Sequence, residues 1–226
     1  MKRSMTPILT VLAAVLALLL WTRHNYTSAA TIIPDPAVDE TLAAQKGQET
    51  IVVAGGCFWG IQAVFQHVNG VSRATSGYSG GTVKNPDYEQ VSSGSTGHAE
   101  SVEIVYDPSK ITLGQLLKVF FSVAHDPTEL NRQGPDTGTQ YRSIIFFANQ
   151  DQRHIAEAYV RQLDQAKVFS NPIVTQIVPL NAFYPAEDYH QNYAAEHPSN
   201  PYIATFDLPK LKNLQQQFPR LYVANR

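Results

Sequence analysis

The sequence predicts an α+β domain in which helices pack on a mixed β-sheet, with two layers and a ferredoxin-like core. Predicted strands and helices alternate without a regular β-α-β period, and the sequence contains no internal repeat, which argues against a doubly wound or repeat fold. The chain has 226 residues, of which 43% are hydrophobic and 10% aromatic. This is enough apolar material for one well-filled core and leaves little room for a second, so we expect a single domain.

The first half of this domain is predicted to contain two strands and two helices. A β-branched apolar run is interrupted by Gly55-Gly56, after which apolar side chains recur at helical spacing. The segment from Thr112 to Gln115 has the pattern of a capping box, which marks the start of a helix. Six glycines within residues 70–97 predict a long irregular stretch in which a site could lie. The predicted elements are a strand over 50–54, a helix over 57–68, a strand over 101–106 and a helix over 112–124.

The second half is predicted to contain two more strands and two more helices. Asn149 is a favourable N-cap, and the apolar residues that follow it form one helical face. Asp207 precedes leucines at helical spacing and so predicts a last helix. The predicted elements are a buried strand over 142–148, a helix that begins after Asn149, a strand over 174–179 and a helix that begins near Asp207.

The N-terminus has the order of a secretory signal. Lys2 and Arg3 precede an apolar run from Ile8 to Trp21, and small residues follow at 28–30. As a helix this run would extend only about 21 Å, against about 30 Å for the hydrocarbon core of a bilayer, although residues 6–22 could form a tilted anchor. Residues 1–30 are therefore a signal peptide or an N-terminal membrane anchor. We expect the protein to be exported, and to be periplasmic, secreted or anchored on the outer face of the membrane.

Net charge and cysteine content exclude several classes of function. The 17 basic and 19 acidic side chains give a net charge of −2, so nothing points to nucleic acid as a partner. None of the seven histidines forms an i, i+4 pair, and a single cysteine cannot form an internal disulfide or a multi-cysteine metal site. We therefore expect no metal site.

That single cysteine, Cys57, is the candidate nucleophile. It lies where a predicted strand ends and a predicted helix begins, so free backbone N–H groups and the positive end of the helix would favour its thiolate. The competing interpretation is a buried structural thiol, which is common for free cysteine. A core cysteine, however, has no need of Gly55-Gly56 before it or of Phe58-Trp59-Gly60 after it.

The segment from Gly56 to Gly60 resembles the active-site motif of the A-type peptide methionine sulfoxide reductases. The resemblance extends from Thr50 to Leu211, and it assigns residues 49–212 to a single catalytic domain. Residues 31–48 lack both the helix and the strand periodicity and are predicted to be a linker, and residues 213–226 are predicted to be a C-terminal tail or helix end. Further motifs occur in the family's order at residues 77–81, 85–88, 97–100, 125–127, 138–143 and 183–191.

The resemblance implies an enzyme that reduces methionine S-sulfoxide, free or in proteins, and so repairs oxidised proteins without a bound cofactor. It implies that Cys57 is the nucleophile and that Glu100 is the carboxylic acid that protonates the departing oxygen. Burial beside aromatic rings would raise the pKa of Glu100 toward that role. The remaining implied roles are sulfoxide-oxygen binding by Tyr88 and Tyr141, ordering of the site by Asp136, and a methyl pocket formed by Phe58 and Trp59.

The C-terminal segment departs from the family pattern. Many relatives carry one or two resolving cysteines there, whereas this chain has none after Cys57. A sulfenic acid on Cys57 must therefore be reduced by an external thiol, such as thioredoxin or glutaredoxin. The expected partners are this reductant and the oxidised substrate proteins, and we expect the enzyme to be a monomer.

Three alternatives remain open at this point. A cysteine hydrolase or acyltransferase would use Cys57 with His98 as its base. A serine hydrolase would use the literal G-x-S-x-G pattern at 77–81, although residues 81–86 cannot begin the helix that such a site needs. An inactive peptide-binding module would keep the pocket without the chemistry, which the intact Cys57 and Glu100 argue against.

Overall fold

The computed structural model describes residues 31–224, so the predicted signal peptide or anchor lies outside the described residues. Within the described part of the chain, no helix is both long and apolar enough to cross a membrane. Its strands are β1 (Glu49–Ala54), β2 (Val71–Ser79), β3 (Ala99–Tyr106), β4 (Arg132–Gln133), β5 (Asp136–Thr137), β6 (Ile144–Phe147), β7 (Gln176–Pro179) and β8 (Phe183–Pro185).

Helices connect most of these strands. The α-helices are α1 (Phe58–Gln66), α2 (Tyr88–Ser92), α3 (Leu113–Val119), α4 (Gln150–Gln165), α5 (Tyr193–Glu196) and α6 (Leu208–Gln217). Short 3₁₀ turns occur at Thr139–Tyr141 and Asp188–His190, and π-helical turns at Phe120–Ala124 and Ile203–Asp207.

The main sheet has six strands in the order β7-β6-β1-β3-β2-β8, while β4 and β5 form a separate hairpin. Neighbouring strands are antiparallel except β6 and β7, which are parallel, so the sheet is mixed. Its four central strands, together with α1 and α3, follow the chain order β1-α1-β2-β3-α3-β6. This is the β-α-β-β-α-β arrangement of ferredoxin-like folds. The predicted fold class is confirmed.

The core lies mainly between the sheet and the helices, as the alternation of side chains along β1 shows. Ile51 and Val53 belong to the large cluster that α1, α3 and α4 cover, whereas Val52 and Ala54 belong to a smaller cluster with Phe146. Successive residues of a strand point to opposite faces, so both faces of β1 are buried. This burial fixes the end of β1, and therefore the start of α1, against the rest of the sheet.

The predicted elements outside residues 70–97 are confirmed within a few residues. The capping box between Thr112 and Gln115 is present at the start of α3, and the Asn149 side chain accepts a hydrogen bond from the backbone N–H of Gln152 at the start of α4. The predicted boundary between domain and tail, at residue 212, falls inside α6.

The prediction of an irregular stretch was wrong for residues 71–79, which form strand β2. This segment lacks the bulky β-branched run that identifies a strand in sequence, and the small side chains of its second half are mostly buried because β2 lies between β3 and β8 there. Gly77 is required there, since a Cβ atom would overlap the Phe183 ring and the Tyr184 carbonyl oxygen. Tertiary packing, rather than local propensity, forms this strand.

Residues 31–48 have no regular structure, but they are attached to the domain more firmly than a linker. Ile33 is buried in the main core, and the Tyr159 hydroxyl donates a hydrogen bond to the Pro34 carbonyl. The carboxylate of Asp39 accepts hydrogen bonds from the Thr112 hydroxyl and the Gly114 N–H at the N-terminus of α3. Negative side chains at this end of a helix are stabilising.

We expect Asp39→Ala to lower the free energy of unfolding by about 1 kcal/mol, because the first turn of α3 loses one external hydrogen-bond acceptor and keeps the other, the Glu40 carboxylate that accepts from the Leu113 N–H. Chemical denaturation followed by circular dichroism measures this loss. Asp35→Ala is the matched control, since Asp35 makes only an exposed ion pair with Lys118, of a kind worth little. Equal effects of the two substitutions would show that the segment does not stabilise the domain through Asp39.

Candidate active site

Cys57 is held at the junction of β1 and α1. It occupies the N-cap position of α1, and two glycines precede it. A Cβ atom on Gly55 would collide with the His125 ring, and Gly56, whose φ is +96°, approaches the Gln133 side chain just as closely. Both glycines are therefore needed for the sharp turn that brings Cys57 from the sheet to the edge of a pocket.

All seven residues that the sequence predicts for the site line one pocket of 210 Å³. An eighth residue, Tyr202, was not predicted. The lining residues are Cys57, Phe58, Trp59, Tyr88, Glu100, Asp136, Tyr141 and Tyr202. Sites for drug-sized ligands are larger, typically about 300–1,000 Å³, so this volume suits the end of a single side chain.

Separate elements bring these residues together. Glu100 lies near the start of β3, directly across from Tyr78 on β2. Tyr88 is the first residue of α2, and its backbone N–H donates a 2.9 Å hydrogen bond to the Glu187 carboxylate. Asp136 begins β5, and Tyr141 ends a 3₁₀ turn.

Glu100 is buried in the wall of the pocket. Its side chain is 2% exposed, and its Oε2 accepts a 3.1 Å hydrogen bond from the backbone N–H of Phe58. Burial raises the pKa of Glu100 to about 8, in the predicted direction, and the negative charges of Asp136 and Asp207 act in the same sense. Glu100 is therefore mostly protonated at neutral pH and can donate a proton inside the pocket.

The environment of Cys57 contradicts the expected thiolate. Burial raises the pKa of the thiol well above its ordinary value, and the charges of Glu100 and Asp207 raise it further. The N–H of Trp59 and the ammonium of Lys210 oppose this shift, but they do not outweigh it. Cys57 thus lies at the positive end of α1, as predicted, but desolvation raises the pKa of the thiol by more than that end of the helix lowers it. The resting nucleophile is a protonated thiol.

Aromatic rings form the apolar side of the site. Phe58 is fully buried, and Trp59 stacks on Tyr193 with a centroid separation of 4.0 Å. The indole N–H of Trp59 donates a 3.2 Å hydrogen bond to Nδ1 of His190, whose ring also lies 4.4 Å from that of Tyr88. These contacts fix the orientation of Trp59 and leave an apolar surface beside Cys57.

Sequence reasoning missed the contribution of the C-terminal segment. The Tyr202 hydroxyl donates a short hydrogen bond to Asp136, so Tyr202 lines the pocket and holds Asp136 there. Asp207 and Lys210, an ion pair with side chains 0% and 11% exposed, also influence Cys57. An i, i+3 pair of opposite charges is usually a surface feature of a helix, so no local pattern indicated that these two side chains are buried.

The geometry does not support the hydrolase alternatives. One nitrogen of the buried His98 ring accepts a hydrogen bond from Gly81 N–H, and the other is 2.8 Å from the Val83 carbonyl, so neither is free to act on Cys57. Ser79 lies at the end of β2, where its hydroxyl donates to the Ala182 carbonyl. No group of three His, Cys, Asp or Glu side chains within residues 31–224 is arranged to hold a metal ion.

The sequence is similar to known proteins over nearly all of the described domain. The family model for peptide methionine sulfoxide reductase matches residues 49–221. The peptide methionine sulfoxide reductase MsrA 2 of Mesorhizobium japonicum is 61% identical over 179 residues, which cover 79% of this chain and 92% of that protein. The protein of the same name from Synechocystis is 50% identical over 189 residues, covering 83% of this chain and 88% of the relative.

Solved structures show the same similarity in three dimensions. Reduced Mxr1 from Saccharomyces cerevisiae superposes with a TM-score of 0.63 at 33% identity, covering 75% of this chain and 95% of that one. Methionine sulfoxide reductase A of Corynebacterium diphtheriae gives a TM-score of 0.59 at 37% identity, with 76% and 88% of the two chains covered.

Proposed function

This chain belongs to the peptide methionine sulfoxide reductase family, and from that premise we propose how its pocket performs the reaction. The enzyme is an oxidoreductase that reduces methionine sulfoxide to methionine and so repairs oxidised proteins. We propose that Cys57 attacks the sulfoxide and that Glu100 supplies the proton. The observation that carries this proposal is the convergence of the lone thiol and a buried, protonated carboxyl on one small pocket.

The proposed step balances within the pocket. Sγ of Cys57 attacks the sulfoxide sulfur while Glu100 protonates the oxygen, and the thiol proton then replaces the one that Glu100 has given. The attack forms a bond between Sγ and the substrate sulfur, and the S–O bond of the substrate breaks. The oxygen then bonds to Sγ as the bond between the two sulfurs breaks, which leaves Cys57 as a sulfenic acid and releases methionine. The substrate sulfur gains two electrons and the cysteine sulfur loses two.

The remaining lining residues orient the substrate in this proposal. Tyr88 and Tyr141 hold the sulfoxide oxygen, since burial raises the pKa of both hydroxyls and so keeps them as hydrogen-bond donors. Phe58 and Trp59 take the methyl group, for which a ring surface is favourable and which does not compete for the oxygen. Asp136, fixed by Tyr202, orders the polar side of the pocket.

We propose that an external thiol completes the cycle. The chain contains one cysteine, so the sulfenic acid cannot condense with a second thiol of the same molecule. A thiol of a thioredoxin-like or glutaredoxin-like protein would attack this sulfenic acid, release its oxygen as water and form a mixed disulfide with Cys57. The second thiol of the same protein then reduces that disulfide and restores the Cys57 thiol. The preferred substrate epimer, the S-sulfoxide, is proposed from the family resemblance.

We also propose that the protein works outside the cytoplasm as a monomer. The order of charged, apolar and small residues in positions 1–30 supports export. Every residue to which the proposed reaction assigns a role belongs to this chain, so the proposed step needs no residue from a second copy. The exported location would require a reductant in the same compartment.

The proposed cycle predicts a single turnover in the absence of thiol. We expect one equivalent of a methionine S-sulfoxide peptide to be reduced per chain, leaving Cys57 as a sulfenic acid, because no internal thiol can regenerate it. Mass spectrometry after trapping with dimedone detects that species, and dithiothreitol should restore turnover. The R-sulfoxide peptide is the matched control and should leave the thiol unmodified. Multiple turnovers without an external thiol would contradict the one-cysteine cycle.

A further inference from the structure

A buried histidine lies behind the aromatic wall of the pocket. His190 is 2% exposed and does not itself line the pocket. Its ring centroid lies 5.1, 5.7 and 4.4 Å from those of Phe58, Trp59 and Tyr88. The imidazole therefore packs against both residues of the proposed methyl pocket and against one of the two tyrosines proposed to hold the sulfoxide oxygen.

Hydrogen bonds on both sides hold the turn that carries His190. Before it, the carboxylate of Glu187 accepts a 2.8 Å hydrogen bond from the hydroxyl of Tyr78 on β2. After it, Oε1 of Gln191 accepts a 2.8 Å hydrogen bond from the side-chain amide of Gln62 on α1. The imidazole is therefore fixed relative to β2 and to the helix that follows Cys57.

The hydrogen bond with Trp59 determines which nitrogen of His190 carries a proton. The indole N–H can only donate, so Nδ1 of His190, which is 3.2 Å away, is the unprotonated nitrogen. The proton of the neutral ring is then on Nε2. Burial lowers the pKa of His190, which favours the neutral ring, although the negative charge of Glu187 acts in the opposite sense.

Stability alone does not explain this arrangement. Nε2 of His190 is buried and has no hydrogen-bond partner among the residues that the structure describes. Oε2 of Glu187 is 3.9 Å away from it, which is too long for a hydrogen bond. A buried N–H without an acceptor destabilises a fold, so an imidazole at this place calls for a role beyond packing.

The contacts of the Trp59 ring indicate what this role is. Tyr193 stacks on the indole with a centroid separation of 4.0 Å and an interplanar angle of 16°, which sets the plane of the ring but not its rotation within that plane. The hydrogen bond to Nδ1 of His190 selects one rotation and directs the indole N–H at a residue outside the pocket. The apolar part of the indole can then face the methyl group, and its N–H does not compete for the sulfoxide oxygen.

We propose that His190 is a positioning residue that selects the substrate-binding orientation of Trp59. Its unprotonated Nδ1 accepts the indole N–H, and its ring supports Tyr88. The proposal rests on the methyl-binding role proposed above for Trp59, and it places one determinant of sulfoxide binding outside the pocket.

The test compares His190→Asn with His190→Leu in the full-length chain. Both substitutions remove the ring, but Oδ1 of asparagine can replace Nδ1 as an acceptor, whereas leucine has no acceptor. Both variants and their reference also carry Trp21→Phe, so that Trp59 is the only tryptophan. The indole N–H of Trp59 then gives one signal in a nitrogen–proton NMR spectrum, and the position of that signal reports its hydrogen bond.

We expect His190→Leu to shift the indole signal and to raise the half-saturating concentration of an S-sulfoxide peptide in single-turnover assays. The rise should be about fivefold, as for the loss of one hydrogen bond of ordinary strength. The limiting rate should change little, because Trp59 holds the methyl group before and during the reaction. His190→Asn should stay close to the reference in both measurements. A role in stability alone would lower the limiting rate and leave the half-saturating concentration unchanged.

Equal half-saturating concentrations for the two variants would overturn the proposal, because the acceptor atom would then have no effect. An unshifted indole signal in His190→Leu would overturn it as well. If His190→Leu does not fold, as judged by circular dichroism, His190→Phe replaces it, because phenylalanine keeps an aromatic ring and has no acceptor. Failure of sulfenic acid formation in the wild-type chain would instead contradict the proposed function. The NMR signal does not depend on that reaction, so the two failures are distinguishable.

Discussion

Cys57→Ser is expected to reduce methionine sulfoxide reduction to the background rate. A serine hydroxyl is far less nucleophilic toward sulfur than a thiol, and it cannot carry the oxygen as a sulfenic acid. No second cysteine can substitute for Cys57, because the chain contains only one. The loss should be complete with both free and peptide substrates, and with dithiothreitol or a thioredoxin-like protein as reductant.

We expect Cys57→Ser to lose its activity and to keep the wild-type fold. Cys57 occupies the N-cap of α1 and makes no side-chain capping hydrogen bond, whereas serine is among the favoured N-cap residues. Thermal unfolding of Cys57→Ser should therefore occur at or above the wild-type temperature. A folded Cys57→Ser chain that still turns over sulfoxide would show that another group is the nucleophile.

The site could be predicted from the sequence because its residues lie in short motifs that themselves predict local structure. The glycines before Cys57 predict a sharp strand-to-helix turn, and the structure contains that turn. The burial that raises the pKa of Glu100 follows from its place on a central strand, β3, which begins two residues before the strand predicted over 101–106 and so includes Glu100. Local pattern and tertiary position agree at these residues, as they do in well-determined folds.

The features that sequence reasoning missed depend on tertiary contacts. Strand β2 has small, polar residues, and it becomes a strand because β3 and β8 pair with its two edges. The protonated state of Cys57 depends on the balance between burial, Glu100 and Lys210, and no local pattern shows this balance. Tyr202 reaches the pocket from a segment whose sequence indicated only the absence of cysteine.

Glu100→Gln is expected to slow the reductase step by roughly 100-fold or more. Glutamine can still donate a hydrogen bond to the sulfoxide oxygen, but it cannot give up a proton, and general acid catalysis is worth about 10²–10⁴-fold. Single-turnover kinetics with an S-sulfoxide peptide measure this step apart from regeneration of the thiol. Glu103→Gln is the matched control on the same strand, because Glu103 pairs with the exposed Arg73 and does not line the pocket.

The pH dependence of the reductase rate shows whether Glu100 is the group that supplies the proton. The pKa of Glu100 is about 8, so its protonated fraction falls above that pH, and the wild-type rate should fall with it. Glu100→Gln should lack this decrease near pH 8 and should instead gain rate as the pH is lowered, since solvent then supplies protons. An unchanged rate for Glu100→Gln at neutral pH would remove Glu100 from the mechanism.

The raised pKa of Glu100 also makes the free energy of unfolding depend on pH. Measuring this dependence is a second test of whether Glu100 is protonated in the folded enzyme. The pKa of Glu100 is raised in the folded chain from an ordinary value of 4.5, so the unfolded chain loses this proton first as the pH rises. The stability that Glu100 contributes is complete below about pH 4.5 and declines until about pH 8. Because glutamine does not ionise, the stability of Glu100→Gln relative to wild type should increase across this interval, by on the order of a few kcal/mol. A difference that stays constant with pH would show that Glu100 is ionised in the folded enzyme and cannot be the proton donor.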